Sequence, residues 1–221
     1  MIPLLIQRNA DGFEADPLFG TPCESYQLQI ALSDEEAVAG LQRAVLDAAP
    51  GAFHAMPRHG FHITVLPLMD AAERLSEPKA ALWARHSGAW RNAIARACAA
   101  LPPLRIRFDS LRYDRQAVIA LDLDNPLSAF RNSLAGPCSL PERRIRLPRI
   151  THATLARVRD PAHVRLAEAE RAGGAEFAVR ELRLIHETTF PTLAYEVLEV
   201  FPLPGQLSPQ SAGLAQIASG S

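Results

Sequence analysis

The stretch PRHGFHITVL, residues 57–66, has a counterpart in PRITHATLA, residues 148–156. Each begins with Pro-Arg and, after a short spacer, continues as His-apolar-Thr-apolar within an apolar run that predicts a β-strand. Side chains at positions i and i+2 of a strand lie on the same face. We therefore expect His62 and Thr64 to share one face of the first strand, and His152 and Thr154 to share one face of the second.

The repetition of this pair carries more information than either copy. An isolated His-x-Thr pair is typical of a solvated strand face, or of a core histidine that is satisfied by a hydrogen bond. Two copies in one chain, both in apolar strands and both preceded by Pro-Arg, favour a shared polar site where the two strand faces meet.

The regions around the two motifs have a similar order of elements. The segment 26–32 alternates polar and apolar residues as a strand does, and Ser33 with Glu36 forms a capping box that predicts the start of a helix ending near Pro50. The other predicted strands are 61–68, 104–108, 117–123, 149–158, 177–185 and 195–201, and the other predicted helices are 80–100, 126–134 and 161–172. Short connections favour antiparallel pairing, because a parallel crossover needs a dozen or more residues. The predicted fold class is α+β, with helices packed outside an antiparallel sheet.

The chain is long enough to form one substantial hydrophobic core. It has 221 residues, of which 48% are hydrophobic, so neither disulfides nor metals are needed for stability. We expect an N-terminal lead at 1–22, a single domain at 23–205 and a disordered tail at 206–221, where the Ser/Gly/Gln/Ala-rich sequence has no apolar period.

Composition excludes several classes of protein. The net charge of −1 argues against a general nucleic-acid coat protein, although binding of one RNA end or a small nucleotide stays open. No apolar run is long enough to span a membrane. The cysteines Cys23, Cys98 and Cys138 are scattered, which argues against a zinc ribbon or a disulfide framework. The N-terminus lacks the features of a signal peptide, so we expect a cytoplasmic protein.

Two imidazoles and two hydroxyls around one cavity suit chemistry on a phosphate diester. A neutral histidine takes a proton from the attacking water and a protonated one donates to the leaving oxygen, and imidazole supplies both forms near neutral pH. Threonine hydroxyls donate to the non-bridging phosphate oxygens, where negative charge develops. The same four residues without an acidic cluster are a poor divalent-metal site, so we expect no metal and no other cofactor.

The paired His-x-Thr strands in a duplicated α+β chain resemble the 2H phosphoesterase superfamily, and within it the bacterial RNA 2′,3′-cyclic phosphodiesterases, also called 2′-5′ RNA ligases. The likeness runs from about Tyr26 to Leu203. It implies two similar lobes around a V-shaped cleft, each lobe contributing one motif. It further implies catalysis by His62 and His152, phosphate binding by Thr64 and Thr154, and no metal cofactor.

Four other residues are candidates for substrate binding. Arg58 and Arg149 precede the two motifs and have the geometry to clamp a phosphate, the alternative being solvated loop arginines. Phe61 and Tyr195 are candidates for stacking on a base, the alternative being packing in the core.

The predicted activity is hydrolysis of 2′,3′-cyclic phosphates on nucleotides or RNA ends by a monomeric enzyme. Four alternatives stay open: a 2′-5′ oligonucleotide phosphodiesterase or ligase, a cyclic phosphodiesterase for a non-RNA sugar phosphate, a module that binds nucleotides or RNA ends without turnover, and a scaffold that merely inherits the fold.

Overall fold

A computed structural model describes residues 4–8, 12–164 and 173–204 of the chain. The strands are β1 Leu5–Arg8, β2 Pro22–Ala31, β3 Phe53–Ala55, β4 His62–Met69, β5 Leu104–Phe108, β6 Ser110–Tyr113, β7 Ala117–Asp122, β8 Thr151–Val158, β9 Ala175–Val179, β10 Glu181–Thr189 and β11 Ala194–Pro202. The helices are α1 Glu36–Ala48, α2 Lys79–Ala99 and α3 Ser128–Ala135, with short 3₁₀ turns at Arg58–Gly60 and Pro161–His163.

The strands form two main sheets that face each other through the motif strands. One sheet has the order β1-β6-β7-β8-β3 and the other the order β11-β10-β2-β4, while β5 and β9 form a separate pair. Every pairing is antiparallel except that of β1 with β6. The motif strands β4 and β8 belong to different sheets and contact each other. This arrangement confirms the predicted α+β class.

The helices cover the apolar sides of the sheets, and two of them pack against the motif strand from the other half of the chain. Helix α1, which comes before the first motif, packs against β8, and α3, which comes before the second motif, packs against β4. One large cluster of buried apolar side chains joins both sheets and all three helices. Within the described residues, no helix combines the length and apolarity needed to cross a bilayer.

Two of the element predictions are corrected by the structure, and three strands were missed. Helix α1 begins at Glu36 after an N-cap at Glu35, so the capping box at Ser33 is wrong. A tight turn, in which the Glu35 amide donates to the Leu32 carbonyl, delays the helix by two residues. The single strand predicted at 177–185 is two strands, β9 and β10, because the chain changes sheets at Arg180, whose carbonyl accepts from the Leu203 amide. Strands β1, β3 and β6 were not predicted.

The ends of the predicted domain are only partly described. In the lead at 1–22, β1 pairs with β6 and the Asp16 amide donates to the Val158 carbonyl, so this segment packs on the domain. The helix predicted at 161–172 begins as a 3₁₀ turn capped by Asp160, and its remainder lies outside the described residues. The tail predicted at 206–221 also lies outside them.

Both motif strands contain a β-bulge at the same position. In β4 the register against β2 skips Val65, and in β8 the register against β7 skips Leu155, each residue lying three after the motif histidine. A bulge leaves one residue out of the ladder and reverses the alternation of faces beyond it. Two buried side chains bond these extra carbonyls: Arg131 of α3 donates to Val65, and Gln42 of α1 donates to Leu155.

The Gln42 contact predicts a measurable stability effect. Its amide nitrogen donates to the carbonyls of Met56 and Leu155, both at 2.7 Å. Loss of a donor to buried carbonyls costs about 1–3 kcal/mol, so Gln42→Ala should lower the free energy of unfolding in urea by about that amount. Arg43→Ala on the exposed face of α1 is the matched control, with an expected change within about 0.5 kcal/mol. Wild-type stability in Gln42→Leu would show that these hydrogen bonds do not stabilise the fold.

Candidate active site

A cavity of about 750 Å³ opens between β4 and β8. The four motif side chains, His62, Thr64, His152 and Thr154, all line it. The residues that alternate with them, Ile63 and Ala153, have no exposed surface. The structure therefore brings the two copies of the motif together at one site.

The bulges determine which residue follows each motif at the cavity. With strict alternation after His152 and Thr154, the side chain of Arg157 would lie on the face of β8 opposite the cavity. The bulge at Leu155 reverses the alternation, so Arg157 lines the cavity. In β4 the residue at the equivalent position, five after the histidine, is Pro67, which also lines the cavity. The two halves of the site thus share their geometry but differ in charge.

The backbone fixes the tautomer of His62. Its Nδ1 lies 2.9 Å from the carbonyl oxygen of Gly60. A carbonyl only accepts, so Nδ1 carries the proton and, in the neutral ring, Nε2 has a free lone pair. Burial lowers the pKa of His62, and the nearby positive charge of Arg157 lowers it further, while the Gly60 bond opposes the shift. The geometry is that of a proton acceptor.

His152 is also biased towards its neutral form. Burial lowers its pKa to about 4, and the positive charges of His62, Arg131 and Arg112 add to the shift. Its Nδ1 is buried without a partner in good hydrogen-bond geometry, although interaction with the backbone of Ile150 favours the protonated ring. A positively charged ring in this position needs an anion beside it.

The hydroxyl of Thr64 bonds to a neighbouring side chain at the cavity. Thr64 donates to the side-chain oxygen of Gln27 at 3.2 Å, and both residues line the cavity. A hydroxyl rotates freely, so an incoming phosphate oxygen competes with Gln27 for this proton. Thr154, at the equivalent place in β8, is half-buried at the cavity wall.

Buried Arg131 connects the two motif strands beneath the cavity. It is 1% exposed, and it donates to the carbonyl of Thr64 at 2.8 Å and to that of Val65 at 3.2 Å. It also donates to Asn125 at 3.1 Å and to the hydroxyl of Thr151, the first residue of β8, at 3.4 Å. Burial lowers its pKa to about 10, so it stays protonated at neutral pH.

Charged side chains of both signs line the cavity. Arg146, Arg149 and Arg157 are at its wall, and so are Asp70 and Glu187. Glu187 is buried, which raises the pKa of its carboxyl group, and it accepts from the amide of Thr192. The arginines supply the positive potential that an anionic substrate requires.

The other predicted binding residues have different placements. Arg149 lines the cavity. Arg58 is outside its lining and pairs with Glu36 at 2.6 Å. Phe61 is 1% exposed in the hydrophobic core, which leaves its ring little surface for a base. Tyr195 is also outside the lining, and its hydroxyl donates to the His59 carbonyl at 2.8 Å.

Several cavity residues were missed by the sequence interpretation. Gln27 could have been found, because it lies two residues after Ser25 in an alternating strand and therefore on the same face. Both residues line the cavity. Arg157 was hidden by the bulge, and Glu187 and Thr192 are contributed by the end of β10 and the loop 190–193 that follows it. Thr192 is 130 residues away from His62 in sequence. No local sequence pattern indicates that such a distant loop belongs to the same site.

Metal ligands are not grouped in the described part of the chain. Among residues 4–8, 12–164 and 173–204, no three or more His, Cys, Asp or Glu side chains are placed to hold one ion. The imidazole, hydroxyl and guanidinium groups at the cavity suit an anion, and its two carboxylates, Asp70 and Glu187, are not part of a three-ligand cluster.

Known proteins share this architecture. Residues 30–189 match the family described as the 2′-5′ RNA ligase superfamily. The TT0787 protein of Thermus thermophilus is 22% identical, and the match covers 83% of this chain and 100% of that chain with a TM-score of 0.58. The structure of E. coli LigT with 3′-AMP is 15% identical and covers 83% and 99% with a TM-score of 0.56. A structure described as a phosphoesterase is 16% identical and covers 81% and 98% with a TM-score of 0.60. No curated protein sequence matches this chain.

The environment of His152 predicts its titration. In nitrogen-15 NMR of histidine-labelled protein, the ring should titrate near pH 4, well below the ordinary value of about 6.5. Inorganic phosphate in the cavity should raise this pKa, because an anion stabilises the charged ring. The spectrum of His152→Asn assigns the resonance. A pKa at or above 6.5 in the phosphate-free protein would contradict the described environment.

Proposed function

Because this chain belongs to the 2′-5′ RNA ligase superfamily, we propose that it is a metal-independent phosphodiesterase that hydrolyses 2′,3′-cyclic phosphates of nucleotides or RNA ends. The observation that carries the proposal is the presence of both His-x-Thr motifs at one cavity. Two titratable rings and two hydroxyl donors are the groups that in-line displacement at phosphorus needs.

The geometry of His62 supports its assignment as the general base. Its neutral ring has the lone pair on Nε2, held there by the Gly60 carbonyl. It takes a proton from water as the water oxygen forms a bond to phosphorus. The bond from phosphorus to one ribose oxygen breaks, and His152 in its protonated form donates a proton to that oxygen, which leaves a phosphate monoester.

The lowered pKa values of His62 and His152 are consistent with this cycle. Burial and nearby positive charges disfavour an imidazolium before the substrate binds. A phosphodiester brings one negative charge into the cavity, which offsets those charges and favours protonation of a histidine. The acid therefore forms together with the substrate complex, and Thr64, Thr154 and Arg157 bind the non-bridging oxygens.

The cavity supports a small nucleotide as substrate. Its volume of about 750 Å³ lies within the common range of about 300–1,000 Å³ for small-molecule sites. The structural relative LigT has been solved with 3′-AMP, with ATP and with NADP+, which favours a nucleotide here as well. We further propose a monomer in the cytoplasm, and the three free cysteines fit a reducing compartment.

Two enzymatic alternatives use the same chemistry on another substrate. Cleavage or formation of 2′-5′ linkages, and opening of a cyclic phosphate on a non-RNA sugar, both require the same four residues. A module that binds nucleotides without turnover is the alternative from another class, and it predicts affinity without product. A panel of cyclic mononucleotides, 2′-5′ dinucleotides and cyclic sugar phosphates, assayed for product, separates these possibilities.

Turnover of 2′,3′-cyclic nucleotides should persist in excess EDTA. His62→Ala and His152→Ala should each lower kcat by about 10²–10⁴-fold, and Thr64→Val or Thr154→Val by about 10²–10³-fold through loss of a donor to the developing charge. His163→Ala, on an exposed turn, is the control and should keep wild-type kcat. Activity that disappears with the chelator, or survives loss of either motif histidine, would contradict the proposal.

The activity should have an acidic optimum. The value of kcat/KM reports the free enzyme. It should fall as the pH rises through the pKa of the protonated histidine, which lies well below the ordinary value of about 6.5 because burial lowers the pKa of both His62 and His152. The value of kcat reports the bound complex. Its fall with rising pH should occur at a higher pH than that of kcat/KM, because the substrate anion stabilises the imidazolium. Identical profiles with an alkaline optimum would exclude this acid–base pair.

A further inference from the structure

Residues 16–21, which lie ahead of the family match, contact the cavity wall at two places. The match begins at residue 30, whereas the contacts come from residues 16–21. The Gly20 amide donates to the Phe190 carbonyl at 2.8 Å, and the Phe190 amide donates to the Thr21 carbonyl at 3.0 Å. This reciprocal pair secures the loop 190–193, from which Phe190 and Thr192 line the cavity.

The second contact is a buried ion pair. The Asp16 carboxylate lies 3.3 Å from Nη1 of Arg157, and the two side chains are 2% and 19% exposed. The other carboxylate oxygen accepts from the Leu18 amide at 3.0 Å, and the Asp16 amide donates to the Val158 carbonyl at 2.9 Å. The backbone of Asp16 is thus attached to the residue after Arg157, and its side chain to Arg157 itself.

The Arg157 guanidinium is confined on two sides. Its central carbon lies 5.1 Å from the centre of the Phe190 ring, within the range of a cation–π contact. Asp16 pairs with one of its terminal nitrogens. An arginine side chain has many rotamers, and contacts of this kind reduce the number available to it. Both contacts depend on the segment 16–21, one directly and one through the loop 190–193.

We propose that Asp16 is a positioning residue that holds the Arg157 guanidinium in place for the phosphate group of the substrate. The inference rests on the proposed phosphodiesterase function. It makes residues 16–21 a working part of the active site. The first motif offers no replacement, because Pro67 occupies the position equivalent to Arg157.

A positioning role differs from simple charge neutralisation in its consequences. If Asp16 only offset the charge of Arg157, its removal would leave a stronger positive charge and tighten phosphate binding. If Asp16 orients the guanidinium, its removal weakens phosphate binding and lowers kcat. If Asp16 only stabilises the fold, its removal lowers the melting temperature and leaves both other quantities unchanged below that temperature.

The test compares Asp16→Asn with Glu14→Gln in the full chain. Asparagine retains an oxygen for the Leu18 amide and removes the charge that faces Arg157. Glu14 makes an exposed ion pair two residues earlier, with Arg115 at 2.6 Å, outside the cavity lining. We expect Asp16→Asn to lower kcat on a 2′,3′-cyclic nucleotide by about 10- to 100-fold, the effect typical of a misplaced catalytic contact, and Glu14→Gln to keep the wild-type value.

A double-mutant cycle with Arg157→Gln identifies the route of the effect. Asp16→Asn should have no further effect on kcat when Arg157 is already replaced, since coupled residues are not additive. Calorimetric titration with inorganic phosphate should show weaker binding in Asp16→Asn and in Arg157→Gln. Circular dichroism and thermal melting confirm that each variant is folded at the assay temperature.

The outcomes separate this inference from the proposed function. If the wild-type protein turns over no cyclic phosphate, the proposed cyclic phosphodiesterase activity is refuted. The phosphate affinities of the wild-type protein and of Asp16→Asn then test the positioning role of Asp16. Wild-type kcat in Asp16→Asn, tighter phosphate binding, or an undiminished effect in the Arg157→Gln background each overturns the positioning role. A kcat loss of equal size in Glu14→Gln would also overturn it, because the effect would then belong to the whole segment.

Discussion

The active-site geometry depends on two buried hydrogen-bonding side chains that connect each motif strand to a helix of the other half. Arg131 of α3 bonds the carbonyls of Thr64 and Val65 in β4, and Gln42 of α1 bonds the carbonyl of Leu155 in β8. Both attach at a bulge, where the sheet ladder leaves an extra carbonyl. Because each strand is held by an element from the other half, neither motif has its final position until both halves have packed.

Arg131 also has an electrostatic consequence. Among the described residues its partners are carbonyl, amide and hydroxyl oxygens, so its charge is not cancelled by a neighbouring carboxylate. The positive charge lies beneath the two histidines and contributes to the low pKa of His152. Burial of a guanidinium without an ion partner is unfavourable for folding. The same charge favours an anion in the cavity, so the group that connects the strands also supports the phosphate binding that we propose.

The parts of this site that were predictable are those that follow from strand periodicity. Alternation placed His62 with Thr64 and His152 with Thr154 on cavity-facing sides, and the repeat indicated that the two faces meet. The contribution of Arg157 was not predictable, because a bulge is specified by tertiary contacts such as that of Gln42 with Leu155 rather than by local sequence. The capping box failed for a related reason, since a turn closed by Leu32 took precedence over the local preference of Ser33. Thr192 reaches the cavity and Asp16 reaches Arg157 through loops, whose course depends on the packed domain.

The two halves of the site have diverged in charge while keeping a common backbone. Each provides a histidine, a threonine and a bulge in the same order, yet the residue beyond the bulge is Pro67 in one half and Arg157 in the other. A symmetric site would bind a phosphodiester equally well in two orientations, with the histidines exchanging their roles. One guanidinium on one side removes this equivalence, because the non-bridging oxygens are stabilised more strongly beside Arg157. In the proposed mechanism the two histidines are therefore inequivalent, because the guanidinium lies on one side of the site only.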